Sequence, residues 1–268
     1  MRRIIYLVVC VLLFSCNREK NITVELPEHI SQPVVEFYLQ PGKPFRLLLT
    51  ESAGYFDPPQ VTPIDEATIE VVHAGKIYYP TPQPFGIDTA TRKFYNYSTD
   101  KNTVVPLDFD NDFFVSIKDK NGRIIEGRTT IMRPVVIDTI SFFTDDPEKA
   151  AILVKFQDNP ATKDYYRVIV VQDSITGEGK WDQVFNDEAI QSELGGVNSG
   201  YILFQGSKVI VQLFHINKDY YDYVTSTKNA ADSNGNPFAQ PSRIMSNVTG
   251  GIGIITGFQP TEKKLIVQ

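Results

Sequence analysis

From residue 34 onward, apolar side chains recur at every second position in short runs, each cut off by Pro, Gly, Asn or Asp. That period belongs to the β-strand, whose successive side chains point to opposite faces. Up to residue 130 it predicts strands over 34–39, 45–50, 68–73, 76–79, 93–98, 113–118 and 123–130. Asn121-Gly122, between the last two runs, reads as a hairpin turn because it accepts positive φ. Ala74-Gly75 turns another. Short strands in this number, with no helical period among them, predict an antiparallel β-sandwich over 32–132.

Met132-Arg133-Pro134 interrupts the pattern. Proline cannot donate to a ladder and biases the residue before it to an extended form. Strand-like runs resume at 138–144, 151–157, 165–172, 201–204, 207–215, 251–258 and 263–267. One helix is expected near 217–230: Asn217 suits the N-cap, and Tyr220, Tyr223 and Val224 fall on one face. The expected fold is therefore all-β, with two β-sandwich-like lobes of the immunoglobulin or fibronectin type. These span 32–132 and 135–268, and the second carries the short helix.

The first residues have a different character. Arg2 and Arg3 precede the uncharged apolar run Ile4 to Phe14, which at 11 residues is too short to span a bilayer. It has the length of a signal-peptide core. The run closes on Leu13-Phe14-Ser15-Cys16, the pattern of a lipobox, in which Cys16 is acylated and becomes the first mature residue. Residues 1–16 are thus expected to be a lipoprotein signal peptide and 17–31 a tether. The other cysteine, Cys10, lies in the removed segment, so the fold must be held by its core and not by a disulfide.

The net charge is −6, and loss of Arg2 and Arg3 takes it to −8. An acidic chain without clustered Lys and Arg is a poor partner for nucleic acid. Membrane attachment is expected through the lipid alone.

Motifs that carry chemistry are sparse. The histidines His29, His73 and His215 are far apart in sequence, and there is no His-Glu-x-x-His, Gly-x-Ser-x-Gly or free-thiol signature. No catalytic residue and no cofactor are expected. Asp108, Asp110 and Asp112 share one face if extended, which makes a weak Ca²⁺ site the alternative to a solvated turn. Carboxylate pairs suited to glycoside hydrolysis cannot be picked out of 32 acidic residues without a fold. Aromatic residues in expected loops are the better lead: Tyr55, Phe56 and Trp181 are candidates for gripping a ligand or partner.

Near the C-terminus stands Asn236-Pro237-Phe238-Ala239-Gln240-Pro241, followed by Ser246-Asn247 and Gly250-Gly251-Ile252-Gly253. The prolines should end the helix, and the glycines should let a strand approach another backbone closely. A phosphate loop would need a helix after the glycines, and here a strand follows. With the lipobox, Val34-Val35-Glu36, Pro63 to Val71, Tyr165-Tyr166-Arg167 and Tyr220 to Tyr223, this run resembles a family of Bacteroidetes outer-membrane lipoproteins known as domain of unknown function 4249. The resemblance implies an outer-membrane lipoprotein that accompanies a TonB-dependent receptor in nutrient uptake, with Asn236, Pro237, Phe238, Pro241, Asn247, Gly250 and Gly251 as a structural motif. It assigns no catalytic residue. A lipidated adhesin or pilus-type subunit is the second expectation, and a surface glycan hydrolase the third.

Overall fold

The computed structural model describes residues 29–54, 58, 60–88, 93–144, 148–173, 179–189, 194–233 and 243–268. Two facing sheets enclose the first core. One runs in the order Ile252–Gly257, Pro33–Leu39, Arg46–Glu51, Lys93–Ser98, Thr81–Asp88, with Thr62–Pro63 added beside Arg46–Glu51. The other runs Val248–Thr249, Ile124–Thr129, Phe113–Lys118, Thr68–His73, Lys76–Tyr78. Alternation does what the sequence requires of it. In Thr68–His73, Ile69, Val71 and His73 turn inward while Thr68, Glu70 and Val72 face out. Phe37, Leu47, Leu49 and Tyr97 from one sheet meet Val71, Val115, Ile117 and Ile125 from the other in a single cluster.

Two polar side chains complete this core. The pairing of Arg46–Glu51 with Lys93–Ser98 extends only over Arg46 and Leu47. Beyond it the Asn96 amide takes over, accepting from the Leu49 N–H at 2.8 Å and donating to the Leu49 carbonyl at 2.9 Å. The Tyr97 hydroxyl accepts from the Ala67 N–H at 3.0 Å and donates to the Ile64 carbonyl at 2.8 Å. Buried backbone groups that lack a ladder partner are thereby satisfied.

The second sandwich has one sheet ordered Ile137–Phe143, Lys149–Gln157, Leu194–Asn198, with Leu203–Phe204 also on Lys149–Gln157. Its other sheet is ordered Gly179–Asn186, Tyr165–Gln172, Lys208–Ile216, Thr261–Ile266. Ile152, Val154 and Phe156 pack against Val168, Val170, Val211 and Leu213 between them. The all-β, sandwich-like architecture is as expected.

The boundary between lobes needs a correction. The chain assigned to a second lobe at 135–268 returns to the first near its end. Val248–Thr249 pairs with Ile124–Thr129, and Ile252–Gly257 lies parallel to Pro33–Leu39, with Val35 opposite Gly253. Parallel pairing between strands so distant in sequence leaves no local signal. Its consequence is that Ser31–Gln268 forms one compact unit.

The helix is Lys218–Ser233, and the Asn217 side chain caps it by accepting from the Tyr220 N–H at 2.9 Å. The same amide donates to Thr129 of the first lobe at 2.9 Å. Tyr220 then joins Tyr38 and Ile254 of the first sandwich to Tyr165, Phe214 and Ile216 of the second in a third apolar cluster. Among the described residues no helix is long and apolar enough to cross a membrane.

Candidate functional site

Beside this third cluster a cleft of about 460 Å³ opens between the lobes. One wall is the outward face of the second lobe's sheet. Because inward Val168 and Val170 alternate with outward residues, Arg167, Ile169 and Val171 point away from the second core. Cross-strand register then fixes a row over four strands: Asp182 opposite Ile169, Ile169 opposite Gln212, and Gln212 opposite Glu262. The opposite wall is Tyr38, Gln40 and Lys93 from the first lobe, with Tyr220 of the helix and Phe258 closing the end.

The charged groups here are held in place. Arg167 binds Asp182 through two bonds, of 2.8 Å and 2.5 Å, and donates to the Tyr220 hydroxyl as well. Burial pulls the Arg167 pKa down, but the Asp182 bond and the neighbouring hydroxyls more than offset this, and the guanidinium stays charged. Burial also pushes the Tyr38 and Tyr220 hydroxyls above the ordinary phenol value. Glu36 gathers the Tyr38 hydroxyl at 2.7 Å, the Tyr223 hydroxyl at 3.4 Å and the Lys93 ammonium at 3.5 Å. Lys93 lies 5.0 Å over the Tyr38 ring. The Gln212 amide donates to Glu262. Gln40 Oε1, by contrast, is buried and has no donor among the described residues.

The residues singled out from sequence fare differently. Cys16, Tyr55, Phe56, Asn236, Pro237, Phe238 and Pro241 lie outside the described residues. Trp181 requires a correction: it belongs to the strand Gly179–Asn186, not to a loop, and packs half-buried against the second core. Tyr165 and Tyr166, strand neighbours on opposite faces, are both buried, because the helix covers the outer one, with Tyr221 4.9 Å from Tyr165. Asn247, Gly250 and Gly251 act structurally. The Asn247 side chain accepts from the Ile255 N–H at 2.9 Å and donates to the Ile255 carbonyl at 2.8 Å. Gly250 has φ +75°, and a Cβ there would fall 1.9 Å from the Ile124 carbonyl oxygen. A Cβ on Gly251 would fall 2.7 Å from the Pro33 carbonyl oxygen.

Asp108, Asp110 and Asp112 do not converge. Asp108 caps its own turn through the Asp110 and Asn111 N–H groups, which hold its carboxyl below the usual range, and faces His73 at 3.2 Å. Asp110 pairs with Arg133 at 2.5 Å, and Asp112 lies 3.8 Å from Arg128. Among the described residues no group of three or more His, Cys, Asp or Glu is placed to hold a metal ion. His73 bridges Asp108 and the Asp112 carbonyl, while His215 bridges Asp164 and the Arg133 carbonyl. Both clamp loops.

Sequence reasoning passed over Arg167, Gln212 and Glu262. One signal was available: an arginine and a glutamine set in Val- and Ile-rich central strands need a reason to be there.

The family model described as Domain of unknown function (DUF4249) matches residues 19–264. No curated protein matches the chain. Two solved structures, each a chain of a cytokine receptor complex in a different crystal form, align at low similarity. One shows 9% identity over 87% of this chain and 95% of its own, with a TM-score of 0.26. The other shows 11% identity over 68% and 89%, with a TM-score of 0.24. Scores at that level carry no argument about this fold.

Proposed function

The chain belongs to the family of domain of unknown function DUF4249, and from that premise we propose that it is a lipid-anchored, non-enzymatic binding component of the bacterial outer membrane, accessory to a TonB-dependent nutrient receptor. The interlobe cleft carries the reading. Its size lies within the range of roughly 300–1,000 Å³ usual for ligand sites. Its walls mix aromatic rings with fixed polar groups, which is the make-up of a site that binds. The lipobox ending at Cys16 supports the anchor, and the family resemblance supports the receptor.

Strand donation between subunits, the adhesin or pilus alternative, would use the open groove beside Ile137–Phe143 and Thr261–Ile266. Two contacts oppose it. Lys263 on the edge strand reaches across to the Asp138 carbonyl at 3.1 Å, and Thr261 reaches the Val135 carbonyl at 2.7 Å. Inward charge on an edge is a device against added strands.

Untargeted mass spectrometry of spent medium tests the accessory role. A deletion strain, and one complemented with Cys16→Ala, should leave behind a compound class that the wild-type strain removes. Identical depletion by all three strains would overturn the proposal.

A further inference from the structure

The cleft's chemistry selects among ligands. We infer that it binds an uncharged ligand presenting several hydrogen-bond donors beside an apolar ring face, the chemistry of a pyranose sugar. The inference rests on the binding role proposed above and specifies its ligand.

Charge is the first filter. Among the described residues, the formal charges lining the cleft are Lys93 and Arg167 against Asp182 and Glu262, which balance. Arg167 is moreover committed to Asp182 and Tyr220. An anion would meet a guanidinium already neutralised by Asp182, and an organic cation would find no excess of carboxylate among the described residues. Burying either uncompensated is strongly unfavourable.

Hydrogen-bond polarity is the second filter. Gln40 Oε1 is a buried acceptor with no donor among the described residues, on the first-lobe wall. Across from it, the row Asp182–Ile169–Gln212–Glu262 sets two carboxylates about an apolar residue and an amide. Carboxylates only accept. The Gln212 amide nitrogen already donates to Glu262, and the amide oxygen adds acceptor capacity to that row. The Gln40 oxygen and the carboxylates ask for donors, and the several hydroxyls around a sugar ring supply them.

Shape is the third. Val171 and Ile210 sit opposite each other in the adjacent row, while Phe258 and Tyr38, with ring centroids 6.3 Å apart, line the other side. An apolar ring face between such surfaces loses water without losing a hydrogen bond.

Calorimetric titration of the purified full chain with glucose, N-acetylglucosamine and maltotriose tests this, with putrescine and citrate as charged probes. Saturable binding of at least one saccharide is expected, with none of putrescine or citrate. Glu262→Leu, on an exposed edge strand, and Gln40→Leu should each weaken that binding about tenfold, as expected for a lost hydrogen bond to the ligand. Circular dichroism of each variant establishes that it is folded. Saccharide binding that both folded variants retain in full places the site elsewhere and overturns the inference, as does a panel in which no saccharide binds or a charged probe binds instead. If the deletion strain still spares a compound from the medium while no saccharide binds, the ligand class is wrong and the accessory role stands. If all strains deplete the medium alike while a saccharide binds the cleft, the accessory role is wrong and the ligand class stands.

Discussion

Gly253→Ala should be among the most damaging single-methyl additions in this protein. Gly253 lies in the returning strand Ile252–Gly257 directly opposite Val35, with φ +129°. A Cβ built there falls 1.9 Å from the Val35 carbonyl oxygen and 2.8 Å from its carbon. Carbon and carbonyl oxygen in neighbouring strands touch at about 3.3 Å, so the backbones must separate by roughly 1.4 Å. The φ value alone is a glycine region and costs alanine about 1–3 kcal/mol. Separation of the strands then strains or breaks ladder bonds worth about 1 kcal/mol each. Together these predict about 3–5 kcal/mol of destabilisation, or a fall in Tm of roughly 6–20 °C for a chain of this size. Gly179→Ala is the control. No described residue lies within 4 Å of its Cβ position, so its effect should stay within about 0.5 kcal/mol. Paired thermal and urea unfolding of the three purified proteins gives the answer. A Gly253→Ala protein as stable as the Gly179→Ala control would refute the parallel insertion of the C-terminal segment beside Pro33–Leu39.

Tyr97→Phe should lower stability by about 2–4 kcal/mol, because the Ala67 N–H and the Ile64 carbonyl both lose a buried partner; urea midpoints at constant m-value measure it, and a loss below about 1 kcal/mol would contradict the role given to the hydroxyl. Acid stability should depend on Arg123, which bonds both Glu51 and Asp119. The Arg123 bond holds the Glu51 carboxyl below its ordinary value, and at Asp119 the Arg123 bonds outweigh a burial that works the other way. Groups depressed in this way contribute fully above the unfolded carboxylate range of about 3.9–4.3, and the contribution is lost as pH falls through the lower folded values. Arg123→Met should therefore be less stable than wild type at neutral pH, and the gap should shrink in acid. Parallel stability curves across that range would count against the pairing.

The parts of the fold that could be read in advance are those with a local cause. Thr68–His73 and Phe113–Lys118 have clean alternation because one face is core and the other solvent. The Asn217 cap and the helix after it depend on residues within one turn. The longer strands that escaped notice, Thr81–Asp88, Gly179–Asn186 and Leu194–Asn198, lie at sheet edges. Edges tolerate Pro, Gly and charge, and Thr81–Asp88 contains Pro82, Pro84 and Gly86 with a register shift between Pro82 and Gly86. Such residues erase the period on which prediction relies. The cleft was illegible for another reason. Its residues lie at 38–40, 93, 167–171, 179, 182, 210–214, 220 and 258–262, and only the return of the C-terminal segment and the docking of the helix bring them together. Tyr38 and Tyr220 each look like ordinary core aromatics until the two lobes share them.

The central claim is that this protein works as the partner of an outer-membrane receptor. Affinity purification of the tagged, lipidated chain from mildly solubilised and crosslinked membranes, followed by quantitative mass spectrometry, tests it most directly. The account predicts a TonB-dependent β-barrel receptor recovered at near-stoichiometric yield. Recovery of the chain alone, or bound only to copies of itself, would contradict it.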